Sequence, residues 1–163
     1  MSSRQDGSKA PFKTDSKFYP LNEKFLRLKS ELPEDLRSTP DNNRWHIISK
    51  TAVSTKYVNI HAICTLCTVA LYREYLPFSA LNSKGPQGPL DEPLITEQPD
   101  DPEFWNKQAK ACFKACKDFA DLLNICNLHD KSVETPVIAF AAYTVGWCGQ
   151  STSASHGALA NLF

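Results

Sequence analysis

One run of residues constrains this chain more than any other. Trp105, Ala109, Cys112, Cys116, Phe119, Leu123 and Cys126 recur at alternating steps of four and three. That rhythm sets seven apolar side chains on one stripe of a helix. Lys107, Lys110, Lys114 and Lys117 take the other faces with Asp118 and Asp121. Asp101 stands at the N-cap position and Pro102 at the first helical position, where a missing amide donor costs nothing. A helix of this length with one apolar stripe must bury it against other elements, and the neighbouring segments read as helices too.

An amphipathic helix is expected from about Leu21 to Leu32, with Leu21, Phe25, Leu28 and Leu32 on one face, Asn22 as cap and Pro33 as stop. Residues 33–44 read as a linker. A second helix is expected over Val53–Leu76, with a seam of Val53, Tyr57, Ile60, Cys64, Cys67 and Leu71. Beside it lies a more polar stripe of His61, Thr65, Thr68 and Tyr72. Its β-branched residues also suit strands, and length decides for a helix, since strands usually run about 5–6 residues. Prolines at 77, 86, 89, 93 and 99 make residues 77–101 a long connector. A fourth helix starts at Thr135–Pro136 and is apolar all round, VIAFAAYTVGWC. No strand–turn–strand pattern and no repeat occurs. The expectation is all-α, an incomplete domain of about four helices with a Pro/Gly-rich connector. Residues 1–16 read as a disordered tail, 17–149 as the helical region and 150–163 as a polar tail.

Length and composition narrow the function. The 163 residues suit one domain or part of a larger one, and 42% hydrophobic content supports a core over much of it. Zero formal net charge leaves no global basic footprint for nucleic acid. The acids gather between Asp91 and Glu103. The N-terminus has no apolar run of the signal-peptide kind, so the six cysteines are expected to be reduced thiols. The uncharged stretch Tyr57–Tyr72 is 16 residues long and contains Asn59 and His61. A span needs about 20 predominantly apolar residues, so no membrane partner is expected.

The chemistry-bearing residues form no catalytic pattern. Cysteines stand at 64, 67, 112, 116, 126 and 148. A binuclear zinc cluster needs two C-x2-C-x6-C halves, and only Cys64 and Cys67 have the first gap. That pair falls mid-helix, away from the βαβ setting of a redox motif. All six cysteines read as small buried hydrophobes, with Cys112, Cys116 and Cys126 on one packing seam. His61 reads as a buried hydrogen-bonding side chain, and His46, His129 and His156 fall in or near loops without metal spacing. Asp100, Asp101 and Glu103 suit the positive end of a helix. Phe104, Trp105, Phe113, Phe119, Phe140, Tyr143 and Trp147 read as core. No Gly-rich phosphate loop, G-x-S-x-G or H-E-x-x-H occurs. No catalytic, cofactor, metal or DNA-binding residue is assigned, and no cofactor is expected in this chain.

Several segments occur in an order that resembles a known family. Leu26–Leu36 contains a helix ending in a Leu-Pro turn. His61 precedes Leu71-Tyr72-Arg73-Glu74, within LYREYLPF. Then come Gly85–Pro93 within the connector GPQGPLDEPLITEQPDDPEFW, Phe104-Trp105, Cys112-Phe113 and finally Val133–Pro136, which opens VETPVIAFAAYTV. This order resembles the middle regulatory region of fungal zinc binuclear cluster transcription factors. The resemblance implies an all-helical regulatory and interaction domain of RNA polymerase II regulators in the nucleus. In that family the region holds activity in check and, in some members, responds to metabolites. Implied partners are other transcription-factor segments or regulatory proteins, with self-association possible. DNA binding and zinc belong to a separate domain of the family. The family continues through further helices after the position of Gly149, so a partial domain is expected here. A degenerate gene fragment without activity and a small thiol- or metal-binding protein are the alternatives. The fourth helix, apolar on every face, is expected to keep part of its surface uncovered.

Overall fold

The computed structural model describes residues 10, 12–49, 53–72, 99–101 and 103–153, with the side chains of 105 and 149–153 outside that set. Five α-helices occur among the described residues, and no strand does: α1 Phe18–Ser30, α2 Pro40–Ile48, α3 Val53–Tyr72, α4 Phe104–Leu128 and α5 Pro136–Ser153. The fold is all-α. No described helix is long and apolar enough to cross a membrane. The connector expected over 77–101 lies outside the described residues except for its last three.

Helices α3, α4 and α5 pack on one another, and α1 and α2 lean on α3. One end of the core joins Phe18, Val69, Tyr72, Phe104, Ala109, Cys112, Cys116 and Cys148. The other joins Ile47, Tyr57, Val58, Ala62, Phe119, Leu122, Cys126, Ile138 and Ala141. The end of α3 therefore meets the start of α4, and the start of α5 meets the end of α4. Helix α4 runs antiparallel to both of its neighbours. Its buried stripe is nearly the expected one, with Phe104 at its head and Leu122 buried in place of Leu123.

Five local expectations need correction. Residues 33–44 hold a 3-10 turn, Glu34–Leu36, and the first half of α2. Thr39 caps α2 by accepting from Asn42 N at 3.1 Å, and Pro40 takes the first position. Second, α1 begins at Phe18 and buries Phe18 and Phe25, while Leu21 and Leu28 are exposed. Two phenyl rings two turns apart bury more area than Leu21 and Leu28 would. Asn22 is no cap there, and its Oδ1 accepts from the Tyr72 hydroxyl at 2.6 Å.

Third, α3 is rotated from its expected seam. Its buried face is Ser54, Tyr57, Val58, His61, Ala62, Thr65, Thr68, Val69 and Tyr72, with Cys67 and Val53 exposed. Buried hydroxyls are tolerable when hydrogen-bonded. Thr68 Oγ1 donates to Cys64 O and Ser54 Oγ to His46 O. Fourth, Asp101 caps a turn one step ahead of α4. Its Oδ1 accepts from Glu103 N at 2.9 Å. Fifth, the outer boundaries move. Phe12 stacks edge-on against Phe104 with centroids 6.0 Å apart, Ser16 is buried, and α5 continues to Ser153.

Candidate functional site

The polar stripe of α3 opens into a cavity. His61, Thr65 and Thr68 line a recess of about 290 Å³ against α4, the end of α1 and the segment before α2. Lys29, Arg37 and Lys114 stand on its wall together with Asp118. Lys114 pairs with Asp118 at 2.6 Å on the exposed side of α4. Arg37 closes α1, with Nε donating to Leu32 O at 3.1 Å and Nη2 to Ser30 O at 3.2 Å. Burial holds His61 below the usual imidazole range, the Leu36 backbone opposes that, and Lys29 and His46 add to it. Its Nε2 is buried without a hydrogen-bond partner among the described residues. A neutral, desolvated imidazole follows. Cys64, on the same wall, has its thiol pushed up by burial, so it is not an activated nucleophile beside His61.

Behind His61 lies a second imidazole. His46 is buried on α2, and its Nε2 donates to Asp35 O at 2.8 Å. A carbonyl only accepts, so Nε2 carries a proton, and Nδ1 is buried without a hydrogen-bond partner among the described residues. Tyr57 stacks on His46 and meets His61 edge-on at 4.5 Å. Burial pushes the Tyr57 phenol up to about 12. The expectation that His46 lies in a loop is corrected by α2, and His129 caps the end of α4.

Three thiols converge elsewhere. The Sγ atoms of Cys112, Cys116 and Cys148 lie within 4.8 Å of one another, in the core between α4 and α5. Hydrogen bonding to Cys116 and Cys148, then burial, holds the Cys112 thiol far above its usual range. For Cys116 the bond with Cys112 pulls downward. The bond with Cys148 and burial outweigh it, and the thiol is pushed up to about 12. Cys126 sits in the other half of the core. Cys64 is half-buried and Cys67 exposed, so the reading of all six cysteines as buried hydrophobes fails for Cys67.

The expected acid cluster does helix-start work. Asp101 Oδ2 meets Lys107 Nζ at 2.7 Å, and that hydrogen bond holds the Asp101 carboxyl below its usual range. The aromatic set divides. Phe104 and Phe119 are buried and Phe113 partly so, while the Trp105 side chain lies outside the described residues. Phe140, Tyr143 and Trp147 are exposed, Tyr143 by 72%. They correct the core assignment, because Ile138, Ala141 and Cys148 take the inner face of α5.

No family model matches the chain, and neither the curated proteins nor the solved structures contain a match. The resemblance to the fungal regulators rests on the residues quoted for it. The sequence pattern missed the α2 contribution and the thiol convergence. For α2 a signal was present: Thr39–Pro40 repeats the cap-then-proline pair of Thr135–Pro136. For the thiols none was, because Cys148 reaches its partners only through the pairing of two helices.

Proposed function

We propose that the chain is a regulatory interaction module of a fungal RNA polymerase II transcription factor. It carries no DNA-reading zinc cluster of its own and acts in the nucleus through protein contact. The observation that carries the contact is the outer face of α5. Phe140, Tyr143 and Trp147 repeat at steps of three and four and are 60%, 72% and 42% exposed. The helix contains no Asp, Glu, Lys or Arg. Gly146 lies on the same face, with open space where a side chain would stand, so a second helix can approach closely. Contiguous apolar surface of this kind marks interaction sites. A stripe without charge repels no copy of itself, and a second copy of the chain is the occupant in this reading. Among the described residues no nucleophile and base align around the α3 cavity, which favours binding over catalysis.

The test is a fungal reporter. The chain is fused between a heterologous DNA-binding domain and an activation segment. Reporter output is expected to change relative to the fusion without the chain, and Phe140→Ser with Tyr143→Ser is expected to abolish the change. Identical output with and without the chain overturns the regulatory reading.

A further inference from the structure

The geometry points to Cys112, Cys116 and Cys148 as a three-thiol site for a trivalent, thiophilic ion of the arsenite class. Convergence comes first. Cys112 and Cys116 stand one turn apart on α4, and antiparallel α5 brings Cys148 across to them, all three Sγ atoms within 4.8 Å. Zinc–thiolate bonds run about 2.3 Å, and at a similar length the narrow angles of a pyramidal ion set its sulfurs roughly 3.5 Å apart. Small side-chain rotations close that difference.

Donor number comes next. The described residues supply three sulfurs at this point and no fourth His, Cys, Asp or Glu. The Tyr72 hydroxyl in the same half of the core is committed to Asn22. Structural zinc asks for four ligands, whereas trivalent arsenic takes three sulfurs in a pyramid and needs no other.

Charge decides between soft ions. Among the described residues the apolar side chains around the three thiols include Phe18, Val69, Phe104 and Ala109. Three thiolates around a divalent ion leave one negative charge in this apolar space, and around a monovalent ion they leave two. Uncompensated buried charge is costly. A trivalent centre leaves none.

The binding step also balances without a base. Arsenous acid, As(OH)3, condenses with three thiols. Three As–O and three S–H bonds break, three As–S and three O–H bonds form, and three waters leave. No electron is transferred and no net proton is released, so thiols held protonated by burial are competent. The bound ion ties α4 to α5, the helix whose outer face carries the aromatic stripe.

The experiment uses the full reduced chain and sodium arsenite. Mass spectrometry under native conditions is expected to show one adduct that gains one arsenic and loses three hydrogens. Arsenic X-ray absorption is expected to show three sulfur neighbours. Arsenite should slow alkylation of Cys112, Cys116 and Cys148 beyond the protection of burial, while Cys64, Cys67 and Cys126 keep their rates. Cys148→Ser should lose the three-sulfur adduct and Cys67→Ser should keep it. Because Cys148→Ser can disturb the core, the wild-type protection map stands as an independent readout. Protection confined to Cys64 and Cys67 overturns the site. So does the absence of a stoichiometric adduct, or a bound zinc ion on these thiols that arsenite does not displace.

Discussion

The His46 ring lies flat on Tyr57, with centroids 4.1 Å apart and planes 16° from parallel. This stack fastens α2 to α3. The Tyr57 hydroxyl donates to Asn43 Oδ1 at 2.6 Å and lies 3.2 Å from Arg37 O. Tyr57→Phe keeps the stack but removes the donor, which leaves the Asn43 oxygen buried and unpaired. The expected cost is about 1–3 kcal/mol. It should appear as a lower urea midpoint with an unchanged slope. A midpoint equal to that of the wild type would show that α2 is held by the stack alone.

His61 makes stability depend on acid. Its folded pKa is lowered, chiefly by burial, while an unfolded histidine titrates near ~6.5. Below that pH the unfolded chain takes up a proton that the folded chain resists. Stability is therefore complete above the unfolded pKa and is lost as the pH falls through it. The groups facing the ring are Lys29, Arg37, His46, Tyr57 and Cys64, with Lys114 and Asp118 from α4 on the same cavity. Urea midpoints measured from about pH 7 to about pH 5 should fall in the wild type and fall less in His61→Gln. Equal slopes would assign the acid response to other groups.

Helix α4 and the α-class were legible because a long stripe at steps of four and three admits one reading. Helix α2 was not, because its buried face is Asn43, His46 and Ile47. Two of those three are polar, so hydrophobic periodicity is silent there. The same effect turned α3. Thr65 and Thr68 are polar by type, yet tertiary packing places them inward beside His61 and leaves Cys67 outward. The wall of the cavity was thus visible as a polar stripe beside the expected seam, with His61 read as buried, but the seam itself was placed on the neighbouring face. The thiol cluster needed the register between α4 and α5, which no local spacing encodes.

Thr135 makes two bonds from one hydroxyl. Its Oγ1 accepts from Ile138 N at 3.2 Å and donates to Asn59 Oδ1 at 2.7 Å. It caps α5 and ties that helix to α3. Thr135→Val preserves shape and loses both bonds. The loss is expected to be about 1–2 kcal/mol, the upper part of the range for N-cap removal. Thermal unfolding followed by helical circular dichroism checks it. An unchanged midpoint would mean that water replaces the hydroxyl at no cost.

The outer stripe of α5 makes the most direct prediction. Tyr143 and Phe140 expose 72% and 60% of their surface, so replacing both with serine removes little from the core. Helical content and the unfolding midpoint should change little, since exposed substitutions usually fall within about 0.5 kcal/mol. Association should change a great deal. In sedimentation equilibrium at micromolar to high micromolar concentration, the wild-type chain is expected to exceed the mass of one copy. The Phe140→Ser, Tyr143→Ser variant should return toward it. Dye binding to exposed apolar surface should fall in parallel. A wild-type chain that stays monomeric through that range and binds no dye would mean that the stripe is not an adhesive surface, and it would remove the second copy as its occupant.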